Sequence, residues 1–545
     1  MPIRTLVVAL ALVGPIVHAQ ESVLPREVRA AADGISSAQL AKELAFLSSD
    51  ELQGRNTPSP GFDKAAAYVA DRLKQAGVTP FGDDGTFFQR YEMHESRVDV
   101  DAAWVEIGGE RFRFGDDFVM RSFAAPLAGE LPLVYVGHGW TVQDSEINPY
   151  AGLDVRGKLV VAHGGRALPT GASVEQIGRV IVGASAPLAE AARLGAAGVV
   201  FIGQSSPRAS QEAARNQNTA RRELEPPVPS AYAAPSVTSI VLASSATEAL
   251  FAGERADSGE IIERGEKGDY PASFQFAKSV TLNVPATQTV VHRPYNVVAL
   301  IEGSDPALRD EYVTVEAHLD GAVGSRAIDG DAVYNSADDN ATGSAAALLI
   351  AEQMMRAPRP KRSLVFIWDS GEEQGLWGTR YFVSRPPVSE GKVVAHFNID
   401  MIGATRAPGT ADASETRVTG PNEVYLIGPG VLSARADALL ERVNRQYLNL
   451  RFNRDHDRAD SEFFYPRTDA GPFLERGILT IGFTTGIHDR YHLPSDEARF
   501  LDPKKMEAIA RTALASIWAI ADSPERPRID KPVPASVPRW GQVLH

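Results

Sequence analysis

Acidic and histidine side chains recur in this sequence at the ends of apolar runs. HLD (318–320) follows YVTVEA, DD (338–339) opens DDNATG, EE (372–373) follows SLVFIWDSG, and Asp400 ends VVAHFNID. Farther along, HDRYHLPSDE (488–497) adds His488 and His492. Imidazole nitrogen and carboxylate oxygen are zinc ligands, and a catalytic zinc keeps one position open. Two ions about 3.5–4 Å apart need a carboxylate shared between them and further ligands for each. Adjacent glutamates suit such a centre, because one can bind metal while its neighbour carries a proton. Singly, each motif has a structural explanation. Asp338-Asp339 could cap the alanine-rich segment that follows, and Glu372-Glu373 could be a first-turn pair favoured by a helix dipole. Their recurrence at successive run ends is what implies a site.

These residues need a rigid frame. The apolar runs Val313–Ala317, Leu364–Trp368 and Val393–Ile399 alternate with helical patterns, which predicts buried, mainly parallel strands. Asn296–Ile301 reads as another strand. In such sheets ligand sites collect beyond the carboxyl ends of the strands, so one sheet can aim His318, Glu372, Glu373 and Asp400 at one point. Upstream, residues 36–77 read as helical. Ser36 or Ser37 serves as a cap, Phe62, Ala65, Ala66, Val69 and Leu73 keep helical spacing, and Gly77 is the stop. The GRNTPSPG stretch between is turn chemistry.

From about Arg97 the texture changes to short β-like runs at 131–140, 157–165 and 196–204, with an alanine-rich helix at 187–194. His138 and His163 lie there as isolated strand-end histidines and read as structural. The polar segment 205–227 reads as a loop, and His456 as an exposed-loop histidine. The 545 residues favour more than one domain, and the formal charge of −14 argues against nucleic acid or an anionic membrane as partner. With no cysteine, there is no disulfide, thiol nucleophile or thiolate zinc site. Residues 1–19 have the pattern of a secretory signal peptide cut after Ala19, so the expected product is soluble and periplasmic or secreted. Residues 523–545 read as a Pro- and charge-rich tail with little core of its own.

HLD, ADDNATG, SGEEQGLWGT, NIDMIG and DRYHLPSDE occur in that order, preceded by LSSDELQGRNTPSPGFDKAAAYVADRLKQAGVTP (47–80). As a set, they resemble the zinc aminopeptidases of the M28 peptidase family. NPYAGLDVRGKLVV followed by AARLGAAGVVFI resembles a PA (protease-associated) domain. The resemblance implies a three-layer α/β/α zinc-peptidase domain with a mainly parallel mixed sheet, made of 20–104 and 289–522. A β-rich PA domain at 105–288 would be inserted in it. It further implies peptide substrates and two zinc ions per chain. Asp338 would bridge the ions, His318 and Asp400 would complete one site, and Glu373 and His492 the other. Glu372 would be the general base, taking a proton from the attacking water and passing it to the leaving amine. Asp320 would accept a hydrogen bond from the second nitrogen of His318. Asp339 would shape the turn, where the family has a cis peptide after the first acid. Tyr491 would stabilise the carbonyl oxyanion, and Arg467 would line the substrate site within PRTDAGPF. Ala470 departs from the family pattern, which commonly has histidine there. His488 is expected not to be a ligand, because DRY and Pro494 argue against a helix presenting both histidines. A carboxypeptidase or dipeptidase of the same fold, a one-zinc glutaminyl-cyclase-like acyl transferase and a catalytically dead receptor-like binding protein are the alternatives.

Overall fold

The computed structural model describes residues 23–141, 146–164, 186–203, 219–228, 237–322, 324, 327–389, 391–407, 409–410, 417–458 and 467–533. The expected signal peptide and the end of the tail lie outside these residues.

A nine-stranded mixed sheet organises the molecule. In spatial order it runs Thr79–Pro80, Tyr295–Ile301, Ser363–Trp368, Tyr312–Glu316, Val393–Ile399, Leu479–Thr484, Glu423–Ile427 and Arg451–Asn453, and Phe88–Arg90 also pairs with Tyr295–Ile301. Ser363–Trp368, Tyr312–Glu316, Val393–Ile399 and Leu479–Thr484 are mutually parallel and form its centre. The neighbours on either side, Tyr295–Ile301 and Glu423–Ile427, run antiparallel to them.

Strand side chains alternate between two faces, and both faces are covered. Leu364, Phe366 and Trp368 point into one core, Val365 and Ile367 into the other. Over the first face lie the helices Ser37–Leu47, Pro60–Gln75, Gly343–Met354 and Pro503–Asp522; over the second lie Trp377–Ser384 and Ala470–Glu475. The result is the three-layer α/β/α arrangement expected. The helix starts are built as their sequences dictate. Ser36 and Gln39 form a capping box. Ser59 accepts a hydrogen bond from the Phe62 amide at 3.1 Å ahead of Pro60, whose fixed φ suits the first turn. The stripe Phe62, Ala65, Ala66, Val69 and Leu73 is buried on the sheet.

A second sheet of eight strands is built between Trp104 and Val284 and encloses its own apolar core around Val105, Leu133, Ile240 and Leu282. A third sheet is small: Glu92–Arg97 is flanked by Ala220–Glu225 and Val290–His292. The expected loop at 205–227 is therefore corrected at its end. ARRELE alternates charge with little apolar content, yet its backbone pairs, Leu224 is buried, and Arg222 meets Glu95. The first part of the tail packs against the main domain. Arg526 pairs with Glu311 at 2.6 Å, Asp530 accepts from Ser433 Oγ at 3.0 Å and from the Ala434 amide at 2.8 Å, and Ile529 packs on the main core. Among the described residues no helix is long and apolar enough to cross a membrane.

Candidate active site

Four loops leave the carboxyl ends of the four parallel strands and converge. His318 lies two residues beyond Tyr312–Glu316, Glu372 and Glu373 follow Ser363–Trp368, and Asp400 follows Val393–Ile399 directly. His492 is on the loop after Leu479–Thr484. The fifth contribution comes from the turn Ala337–Thr342, which leads into the helix Gly343–Met354. That helix sits tight on the sheet: a Cβ on Gly343 would lie 2.1 Å from the Ile399 carbonyl oxygen, so only glycine fits.

Two groups of donors result, and one carboxylate belongs to both. Asp339 Oδ1 lies 3.1 Å from His318 Nε2, and Asp339 Oδ2 lies 3.0 Å from His492 Nε2. Asp400 Oδ1 is 3.5 Å from His318 Nε2, and Glu373 Oε2 is 2.9 Å from His492 Nε2. Asp339 thus stands at the shared position assigned to Asp338. Asp338 is turned the other way. Its Oδ1 accepts from the Gly403 amide at 2.8 Å and from Thr342 Oγ1 at 3.1 Å, and its Oδ2 faces His488 Nε2 at 3.3 Å. Consecutive side chains on a non-helical turn diverge, and motif spacing alone does not say which of two adjacent acids faces inward. The cis peptide likewise follows Asp339, joining it to Asn340, rather than following Asp338.

Supporting contacts hold these side chains. Both oxygens of Asp496, from the LPSDE motif, take the Asp338 amide at 3.0 and 3.1 Å, and Oδ2 takes the Asp339 amide at 3.2 Å. Asn340 Nδ2 donates to Ile399 O at 3.0 Å, and its Oδ1 takes the Gly343 amide at 2.9 Å. His318 Nδ1 lies 3.2 Å from the backbone oxygen of Asp320 and 3.9 Å from its carboxylate. The expected side-chain partner is thus replaced by the carbonyl of the same residue. The Asp320 carboxylate instead accepts from the Glu372 amide at 3.1 Å and so fixes the loop carrying the glutamate pair. Arg467 Nη2 donates to Tyr491 Oη at 3.2 Å, bringing the two weaker candidates together, and the Tyr491 ring stacks on His492 with centroids 3.7 Å apart. His488 stays outside both donor groups, and His456 sits against the Tyr425 ring.

The electrostatics are those of a crowded anionic pocket. Burial alone would lower the pKa of His318, but Glu372, Asp339 and Asp400 outweigh it and raise it well above the usual value. Burial and then Asp339 push Glu373 up to about 8, against the pull of His492. His492 reaches about 10, because Asp339 and Glu373 overcome the effect of burial. Glu372 is raised well above a normal carboxyl by burial, although His318 opposes this and Asp469 adds to it. Such a set gains from a cation placed among it.

Zinc fits these donors. Ligand atoms held tetrahedrally at 2.0–2.1 Å are about 3.3 Å apart, and the donor separations here run from 2.9 to 3.5 Å. His318 Nε2, Asp400 Oδ1 and Glu373 Oε1 are also buried without a hydrogen-bond partner, which is costly for polar atoms unless something else meets them. Sequence reasoning missed three supporting residues. Asp496 and Asn340 stand in quoted motifs without a role, and Arg55 reads as turn chemistry within the amino-terminal segment 47–80.

Residues 296–517 match the model of Peptidase family M28. An aminopeptidase of Pseudomonas aeruginosa strain UCBPP-PA14 is 31% identical over 196 residues, which are 35% of this chain and 31% of that protein. The chain thus spans about a third of the length of that curated relative. Among solved structures, an aminopeptidase from Aneurinibacillus sp. strain AM-1 aligns over 94% of this chain and 99% of its own, with a TM-score of 0.54 and 18% identity. A zinc aminopeptidase from Bacillus subtilis aligns over 92% and 99%, with a TM-score of 0.50 and 16% identity. These two likenesses establish a shared fold that takes in both large sheets. The match to the Peptidase family M28 model spans residues 296–517, the part of the chain whose quoted motifs lie at the ends of four parallel strands.

Proposed function

We propose that the protein is a dinuclear zinc aminopeptidase, which removes amino-terminal residues from peptides outside the cytoplasm. The observation that carries this reading is the Asp339 carboxylate, whose two oxygens face two different imidazoles at 3.1 and 3.0 Å. His318, Asp339 and Asp400 would hold one ion, and Asp339, Glu373 and His492 the other. When bound, the zinc ions supply Lewis acidity toward the peptide carbonyl and toward water. The rest of the chemistry falls to the chain. Glu372 belongs to neither donor set, yet lies among these charges. It takes a proton from the attacking water and passes it to the departing amine. Asp320, through the Glu372 amide, keeps that carboxylate in place. Burial, then Asp339 and Glu373, raise the Tyr491 phenol, so it stays protonated at neutral pH and can donate to the developing oxyanion. Arg467 orients it.

The second sheet would act as a PA-like module that restricts access rather than supplying ligands. Among the described residues its histidines have no carboxylate partners that complete a metal group. The small third sheet meets the glutamate loop: Arg222 Nη1, on the strand Ala220–Glu225, donates to Gln374 Oε1 at 2.9 Å.

Two measurements on the purified protein test the reading. Elemental analysis is expected to give close to two zinc ions per chain, and peptides are expected to lose reactivity on acetylation of their amine but not on amidation of their carboxyl end. The opposite substrate pattern would make the protein a carboxypeptidase. One tightly held ion with full activity would favour the cyclase-like chemistry.

A further inference from the structure

Arg55 is a charged side chain with no exposed surface, placed in a loop with positive φ, in the segment that precedes the second sheet and lies outside residues 296–517. A guanidinium so deeply buried would ordinarily meet a carboxylate. Among the described residues, this one meets only backbone carbonyls. Nε donates to Leu319 O at 2.8 Å, Nη1 to Asn335 O at 2.9 Å and to Leu47 O, and Nη2 to Ser336 O at 2.9 Å. Three of these four acceptors matter for the site. Leu319 directly follows His318, and Asn335 and Ser336 enter the turn that carries Asp339. The planar fork therefore ties the two loops whose side chains meet at 3.1 Å in the first donor group. The carboxylates that act on its charge are those of Asp320, Asp496, Asp339 and Glu373, all at or beside the centre.

We infer that Arg55 is a positioning residue of the metal centre. From behind, it sets the separation of His318 and Asp339, and it supplies a fixed positive charge to the acidic set. This rests on the zinc reading above and adds to it that the segment ahead of the second sheet completes the centre without offering a ligand. Lysine at this position keeps the charge but cannot reach four carbonyls; glutamine loses the charge and most donors. A supporting contact of this kind typically governs metal affinity by about 10–100-fold.

The test measures zinc content and zinc dissociation constants, by competition with a chromophoric chelator, for the full-length protein and for Arg55→Lys and Arg55→Gln. Circular dichroism checks the fold of each. The expected result is a dissociation constant raised about 10-fold or more in Arg55→Lys, a larger rise in Arg55→Gln, and partial recovery of the latter by added methylguanidinium. Folded variants that bind two zinc ions with the affinity of the unsubstituted protein overturn the inference. So do variants that fail to fold whether or not zinc is present during refolding, since that outcome assigns Arg55 to the fold alone. An unsubstituted protein without zinc would instead overturn the functional reading itself.

Discussion

Two pairs of histidines stand near strand ends in this molecule, and they are held in opposite ways. In the second sheet, His163 ends the strand Leu159–His163 and His138 follows Leu127–Tyr135. His163 Nε2 meets Tyr135 Oη at 2.9 Å, and Tyr270 lies edge-on to both rings. Burial pushes both imidazoles down to about 4. In the central sheet, His318 and His492 are pulled the other way, because carboxylates outweigh burial. Burial does not make the site: His163 and His318 are both buried, while His492 keeps 40% of its side chain exposed. What differs is the convergence of acids, and that convergence needs parallel strands whose ends open toward one point. The central sheet has four such strands. The second sheet has parallel strands too, Leu127–Tyr135, Leu159–His163 and Gly198–Ile202, but aromatic rings close over their histidines.

The largest expected effect breaks the contrast at its shared carboxylate. Asp339→Asn removes one charge from both donor groups, so zinc content should fall well below two and activity should be nearly lost, with weak recovery in excess zinc. The neighbouring change, Asp338→Asn, keeps an oxygen for the Gly403 amide and Thr342 Oγ1. It should leave zinc near two and rates within a few-fold. Elemental analysis of both variants decides the register. Zinc loss in Asp338→Asn alone would restore the assignment that motif order suggests.

The next effect isolates the proton carrier. Glu372→Gln preserves shape and all five donors, so zinc should remain near two and KM should change little. The turnover number should drop by about 10²–10⁴-fold. Normal turnover at normal zinc content would show that Glu372 is not the base. If both glutamates were only helix-start carboxylates, substitution would cost about 0.3–1 kcal/mol of stability and spare catalysis.

Much of this was legible because the physics is local. An apolar run that stops at His, Asp or Glu marks a strand end, and Val313, Phe366 and Phe397 are buried as that pattern requires. His318, Asp400 and the Glu372-Glu373 pair can be read in this way, whereas the choice of Glu373 and His492 as ligands comes from the family resemblance. The choice between Asp338 and Asp339 could not be read from run ends, since it depends on where each side chain leaves a turn held by Asp496 from over 150 positions away. Arg55 was opaque for a similar reason. An arginine beside glycine, asparagine and proline reads as solvated turn, and its burial depends on carbonyls more than 260 positions later. ARRELE hid its strand because a half-exposed strand in a small sheet buries few apolar side chains, here Leu224.

The smallest expected effect sharpens the contrast through pH. His163 has a folded pKa of about 4, below the value near 6.5 that it takes when unfolded. Between those values the unfolded chain binds more protons than the folded one. Stability conferred by the neutral imidazole is therefore full above about pH 6.5 and is lost as pH falls toward 4, by at most about 1.4 kcal/mol per pH unit for this residue. His138 has the same sign. Hydrogen exchange of the Leu159–His163 amides, followed by mass spectrometry from neutral to acid pH, should show this strand opening progressively, and His163→Gln should flatten the dependence by about one proton. The central sheet should weaken in acid for another reason, because protons compete with zinc for His318 and His492. Excess zinc separates the two cases. It should protect the amides of Tyr312–Glu316 at mildly acid pH and leave those of Leu159–His163 unchanged. Protection of both strands by zinc would place a metal in the second sheet and remove the distinction between the two histidine pairs.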